Sequence, residues 1–245
     1  MIEIWGLGSP NVHKVILALE ELALPYSYHH VDCPMGEQYT PEFTALNPNQ
    51  KVPVIVDPDG PGGKPFTIWE SGAILIYLAE KTGQLLSADP AERYVTLQWL
   101  MFQMAGIGPM FGQSAHFRLY AKDPAHHYSR ARYATEVVRL HDVVEARLAE
   151  SPYIAGADYS IADIAIWSWI MRTEINRVDL AEFPHVNRWV QDISQRPAAV
   201  RSIEWLRGLK RDISLDELQR LYPDKFDRYL GRGRYSRASE AAMAV

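Results

Sequence analysis

Apolar and polar positions change their spacing about a third of the way along the chain. At the start, Ile2, Ile4 and Trp5 form a short apolar strand, and Leu7-Gly8-Ser9-Pro10-Asn11 is turn chemistry. From Val12 onward, Val12, Val15, Ile16, Leu19 and Leu22 fall at the helical i, i+3, i+4, i+7 spacing. Tyr26 to Val31 has the aromatic and β-branched content of a second strand, and Pro41 to Leu46 predicts a short helical turn. Val52 to Val56 reads as a strand opening on Pro53, Asp57 to Gly63 as a turn, and Phe66 to Trp69 as the returning hairpin strand. Ala73, Ile74, Tyr77 and Leu78 then give a helical stripe that stops near Gly83.

The predicted order over residues 1–82 is therefore β-α-β-α-β-β-α, a small mixed sheet covered by helices. Beyond Gly83 the strand signals cease. Residues 83–90 read as a linker, and helical patterns follow at about 91–120, 126–149, 161–172, 185–195 and 197–208. The expected organisation is an α/β domain (1–82), an all-α domain (91–208) and an extension (209–245). In the extension, Ser214-Leu215-Asp216-Glu217 matches a capping box before a short helix that Pro223 should end. Gly231-Arg232-Gly233-Arg234 and the Ala-rich close are expected to be mobile.

Composition narrows the classes. With 245 residues, 47% hydrophobic and 22% charged, the chain has the balance of an ordinary globular protein. No apolar run approaches the roughly 20 residues needed to cross a bilayer, and the N-terminus has no basic segment followed by an apolar one, so a cytoplasmic location is expected. Cys33 is the single cysteine, which excludes an internal disulfide and a cysteine-cluster metal site. Formal charge is −7 over residues 1–80, −1 over 81–200 and +3 over 201–245. An acidic front half repels phosphate backbones, so no nucleic-acid partner is expected.

Three clusters carry candidate chemistry. Pro53, directly after Asn47-Pro48-Asn49-Gln50-Lys51, suits a cis peptide bond that turns the Val52 N–H and C=O outward to pair with an extended peptide; a trans proline at a strand end is the alternative. Glu70-Ser71 stands where a strand becomes a helix, so the Ser71 hydroxyl and first-turn N–H groups offer an anion site, with Glu70 beside it for an ammonium. The same pair also reads as an ordinary helix cap. Ser9-Pro10-Asn11 places a hydroxyl and an amide at a helix start, where they can donate hydrogen bonds to a thiolate or simply cap the helix.

Taken together and in this order, the three clusters resemble the glutathione transferase superfamily, over residues 1–208, and Tyr159-Ser160-Ile161-Ala162-Asp163 resembles its helical-domain capping box. The stretches around Ser9, Lys51, Glu70 and Leu97 to Gln103 look like its bacterial nu class, noted for glutathione-dependent disulfide reduction. The class typically has Thr-Pro-Asn where this chain has Ser9-Pro10-Asn11, a change that keeps the hydroxyl.

The resemblance implies a thioredoxin-like first domain that binds glutathione, reduced or oxidised. Asn11, assisted by Ser9, would sit near the sulfur, Val52 would pair with the cysteinyl backbone, and Glu70 with Ser71 would hold the γ-glutamyl end. Gln38 would contact the glycyl end with Lys51 adding charge, and Arg132 would reach the site across a homodimer. His116 and Phe117 would line the pocket for a small disulfide or electrophile. Conjugation, ether or peroxide cleavage, and a non-catalytic binding role remain alternatives to disulfide reduction. Cys33 lies away from the Ser9 turn, beside Asp32, and is read as structural, so the attacking sulfur is expected to come from glutathione. Trp99, Trp167, Trp169 and Trp189 fall on helical stripes and are expected in the core.

Overall fold

The computed structural model describes residues 1–121, 123–209 and 214–236. Strands β1 (Ile2–Gly6), β2 (Tyr26–His30), β3 (Val54–Asp57) and β4 (Phe66–Trp69) form one sheet in the order β2-β1-β3-β4. β1 and β2 are parallel, joined through helix α1 (Pro10–Glu21), whereas β3 is antiparallel to both β1 and β4. This is the arrangement expected from the sequence, with two refinements. Helix α2 (Pro41–Leu46) is capped by the Thr40 hydroxyl, and β3 starts at Val54 instead of Val52, because Pro53 has no N–H for the ladder; the Val52–Pro53 bond is cis.

Helix α1 is buried along almost its whole length, from Val12 to Leu19, between the sheet and the helical part of the chain. Helix α3 (Ser71–Thr82) lies beside it and stops at Gly83, whose φ of +67° closes the helix without a Cβ clash. The next expected helix is really three pieces: α4 (Pro90–Phe102), a π turn (Gln103–Ile107) and α5 (Gly108–Leu119). Pro109 cannot donate to the carbonyl four residues back, and the Gly108 N–H reaches instead to the Gln103 carbonyl, one residue further than an α-helix allows.

Helix α6 (His127–Glu150) pairs with α5, and α7 (Ile161–Ile170) is the hub of the helical part, buried on every side except at Trp169. The predicted capping box is present: Asp163 accepts from the Ser160 N–H at 3.0 Å while the Ser160 hydroxyl caps the first turn. A one-turn helix α8 (Thr173–Asn176) follows, then α9 (Pro184–Ser194) and α10 (Pro197–Gly208), which packs back on α1.

The extension departs from expectation. Helix α11 (Leu215–Leu221) ends before Pro223 as predicted, but Pro223 then opens helix α12 (Pro223–Leu230) from its first turn, a position where its missing N–H costs nothing. Phe226 is buried, and the Arg228 guanidinium lies 4.2 Å above the Tyr39 ring. The stretch Gly231 to Arg234, expected to be mobile, folds back instead: Arg232 bonds Asp227 at 2.5 Å and Arg234 pairs with Asp224 at 2.6 Å. The Ala-rich close at 237–245 lies outside the described residues.

Candidate functional site

The Ser9 turn is the first component, because it ends β1 and begins α1. Ser9 takes an extended conformation and its Oγ accepts from the Val12 N–H at 3.4 Å. Capping uses only an oxygen lone pair, so the hydroxyl proton stays available to donate, and the capping and chemical readings of Ser9 are compatible. Asn11 is fixed by tertiary contact: its Oδ1 accepts from the Trp169 indole Nε1 at 3.2 Å. An indole N–H can only donate, so the amide oxygen is the atom it engages and the Asn11 NH2 remains the donor for a ligand.

The second component is the loop from Asn47 to Pro53. Buried Asn47 accepts from the Asn49 N–H at 2.9 Å and donates to the Lys51 carbonyl at 2.7 Å, holding the loop closed. The registers of β3 with both its neighbours begin at Val54, so the ladder leaves Val52 unpaired. The third component is the strand-to-helix corner at Glu70. Its φ is +70°, a left-handed conformation that costs a non-glycine residue about 1–3 kcal/mol and is concentrated at functional sites. Glu70 makes no side-chain capping bond, so the plain capping reading of this corner does not hold, and buried Ser71 directs its hydroxyl to the Met104 sulfur at 3.7 Å.

Asn11, Lys51, Val52, Pro53, Glu70 and Ser71 all line one cavity of about 190 Å³, with Met104 as its far wall. Behind it lies a feature absent from the sequence reading. Lys14, fully buried, donates to the Gln103 Oε1 at 2.6 Å, and burial pulls its ammonium down to about 7, an effect the nearby Glu70 charge opposes. The π turn is what aims Gln103 at Lys14 and Met104 at Ser71.

Asn11 also lines a second, larger cavity of about 920 Å³, together with Gly8, Ser9, Lys51, His116, Trp169 and Arg172, and with Tyr229 and Leu230 of α12. Burial lowers the His116 pKa, with the Arg232 and His126 charges adding to the effect. Phe117 is not in this wall; it stacks on Tyr133 at 5.5 Å. Trp167 and Trp189 are core residues as expected, whereas Trp169 faces the cavity. Gln38 is buried on the turn Glu37–Tyr39, with its Oε1 unpartnered among the described residues and outside both cavity walls. Arg132 is exposed on α6 with Glu136 3.8 Å away, and borders neither cavity within the single chain. Cys33 is buried and borders neither.

The smaller cavity has the groups that the expected tripeptide needs. A helix N-terminus with a buried hydroxyl suits a carboxylate, the adjacent Glu70 suits an ammonium, and Val52, outside the strand ladder, suits a peptide backbone. The residues fit glutathione. Comparisons agree: residues 8–81 match the family model "Glutathione S-transferase, N-terminal domain" and residues 109–197 match "Glutathione S-transferase, C-terminal domain". The chain belongs to the glutathione S-transferase family.

Among its relatives is the disulfide-bond oxidoreductase YfcG of Escherichia coli, 46% identical over 204 residues, covering 83% of this chain and 94% of that one. The disulfide-bond oxidoreductase YghU of the same organism is 38% identical, covering 82% and 73%. A solved glutathione transferase from Pseudomonas putida, with one glutathione disulfide bound per subunit, is 44% identical with a TM-score of 0.79, covering 83% and 90%. Another from Burkholderia graminis, with two glutathione molecules bound per subunit, is 46% identical with a TM-score of 0.79, covering 86% and 89%.

Proposed function

We propose that this glutathione S-transferase family member is a glutathione-dependent thiol-disulfide oxidoreductase, with Ser9 and Asn11 as the residues that hold the reacting sulfur. The observation that carries this reading is that Asn11 lines both cavities with its amide orientation set by Trp169, while the chain's one cysteine lines neither. Bound glutathione supplies the thiolate that breaks the disulfide, and a second glutathione releases the mixed disulfide, so that two glutathiones and one disulfide give glutathione disulfide and two thiols. The protein's part is to donate hydrogen bonds to sulfur from the Ser9 hydroxyl and the Asn11 amide, which favours the thiolate over the thiol. Val52 pairs with the backbone of the tripeptide, and Glu70 and Ser71 hold its amino-acid end. Gln38 and Lys51 serve its glycyl end.

In the same reading, residues 1–82 bind glutathione, the helices of residues 91–208 shape the second-substrate cavity, and the extension after 209 covers its mouth through Tyr229 and Leu230. The chain acts as a homodimer in which Arg132 serves the partner's site. The edge strand β4 exposes Phe66 and Trp69, and α4 exposes Tyr94 and Met101 seven residues apart on one face, which supports such an association. No helix of the described residues is long and apolar enough to cross a membrane, and glutathione as reductant suits the cytoplasm.

Glutathione-dependent reduction of bis(2-hydroxyethyl) disulfide tests the assignment. A hydrogen bond to a charged group contributes about 1.5–3 kcal/mol, so Asn11→Ala should lower kcat/KM by roughly 13- to 160-fold. Wild-type rates in that variant would refute it.

A further inference from the structure

The larger cavity has a one-sided electrostatic character. No aspartate or glutamate is in its wall, whereas Lys51 and Arg172 are. Two arginines, Arg118 and Arg172, have buried Nε and Nη2 atoms without a hydrogen-bond partner among the described residues, and of the two only Arg172 lines this cavity. Arg196 is paired with Glu21, Arg201 with Glu20 and Arg232 with Asp227, each within 2.6 Å. For Arg172, only Nη1 has a contact, at 3.5 Å from the Gly8 carbonyl, and Nε and Nη2 are buried with no hydrogen-bond partner among the described residues. The carboxylate that acts on it is Glu174, which is exposed. A guanidinium drawn out of water without a paired carboxylate is costly to a fold, and the cost is relieved when a ligand carboxylate takes two of its N–H groups at once. Its position is also specific. The Gly8 carbonyl that it approaches belongs to the residue immediately before Ser9, so the cation borders the place where the sulfur reacts.

We propose that Arg172 forms a carboxylate subsite in the larger cavity, so that the disulfides this chain reduces best carry a carboxylate a few bonds from the sulfur. The proposal rests on the reading of this cavity as the place of the disulfide substrate. It adds the chemical class of that substrate and a specificity-determining residue for it. Arg172 needs no part in breaking the S–S bond; it selects and orients what is broken.

The test compares three disulfides of similar length: 3,3′-dithiodipropionate (dianionic), bis(2-hydroxyethyl) disulfide (neutral) and cystamine (dicationic), assayed with the full chain and glutathione. Wild type should favour the dianion over the dication. In Arg172→Met the kcat/KM ratio of dianion to neutral substrate should fall by roughly tenfold or more, the scale of a lost charge-assisted pair. Arg172→Lys, which keeps the charge and loses the planar fork, should recover part of that ratio. An unchanged ratio in Arg172→Met, or equal loss on all three substrates, overturns the subsite. If Arg172→Met does not fold, the fall of the ratio in Arg172→Lys decides alone. If wild type turns over none of the three, the assigned reaction fails. Calorimetric titration with 3,3′-dithiodipropionate then judges the subsite separately: weaker binding in the variant supports it, and equal binding or none in wild type overturns it.

Discussion

Replacing Trp169 by Phe removes one hydrogen bond from the site and leaves an aromatic ring in its place. The ring's packing against Phe111, at a centroid distance of 6.5 Å, survives the change in kind, so the perturbation falls on the 3.2 Å bond from Nε1 to the Asn11 Oδ1. That bond is neutral and partly buried, which sets its value at about 0.5–1.5 kcal/mol. Once it is lost, the Asn11 amide can present oxygen or nitrogen to the sulfur, and only the nitrogen stabilises a thiolate. Converted to rate, the expected loss in kcat/KM is roughly 2- to 13-fold, smaller than the roughly 13- to 160-fold loss from deleting the amide in Asn11→Ala.

The ordering is the discriminating result. Trp169→Phe should fall between wild type and Asn11→Ala, and the double variant should match Asn11→Ala, because the indole acts only through the amide. Ultraviolet titration of bound glutathione thiolate should show its pKa rising in the same order, with thermal stability close to wild type in Trp169→Phe. Additive losses in the double variant would refute the reasoning, as would a Trp169→Phe enzyme slower than Asn11→Ala.

Two further outcomes concern the frame that holds the site. Asp163 is buried and accepts from the Ile154 N–H, the Ser160 N–H and the Trp189 indole, at 2.8, 3.0 and 2.9 Å; burial raises its pKa against these bonds, so Asp163→Ala, which strands the donors, should cost about 3–5 kcal/mol in urea unfolding. A loss under about 1 kcal/mol would contradict that role. At Asp57, burial raises the carboxyl pKa, but hydrogen bonds from Tyr77, Lys81 and the Asp59 N–H outweigh it and hold the group below its unfolded value of 3.8. The folded state therefore binds fewer protons than the unfolded one in acid, so the stabilisation is complete above about pH 4 and is lost as pH falls through the folded value. The melting-temperature gap between wild type and Asp57→Asn should accordingly narrow below about pH 4, and a gap that widens there would refute the sign.

The parts legible in the sequence are those set by local periodicity and turn chemistry. Alternating strands, the Ser9 and Glu70 corners and the Ser160 capping box are readable because a few adjacent residues decide each. What escaped depends on contacts between distant segments. Trp169 lies on a helical stripe whose other members are core, and its turn toward Asn11 follows from α7 packing on α1. Lys14 reads as a polar position on a helix with one apolar face, yet α1 is buried all round and the π turn brings Gln103 to it. Pro223 correctly signals an end, but a proline also suits a helix start, and only the docking of Phe226 and Tyr229 shows that a second helix follows.

These distant contacts share one geometric consequence. Asn11 and Lys51 line both cavities, so in the proposed reading a bond between two sulfurs held beside Asn11 has one half directed toward Ser71 and the other toward Arg172. Each half meets a feature that favours negative charge, a helix N-terminus on one side and a guanidinium without a paired carboxylate on the other. Between them stand Ser9 and Asn11, the neutral donors proposed to face the sulfur. Lys51, in the wall of both cavities, adds a cation at their junction, so the proposed site favours two anionic arms and the thiolate that must form between them. A cysteine at the Ser9 turn would place a second competing sulfur at that centre, and the chain's one cysteine is instead buried with Val31, Phe43 and Val54, on a turn packed against α12.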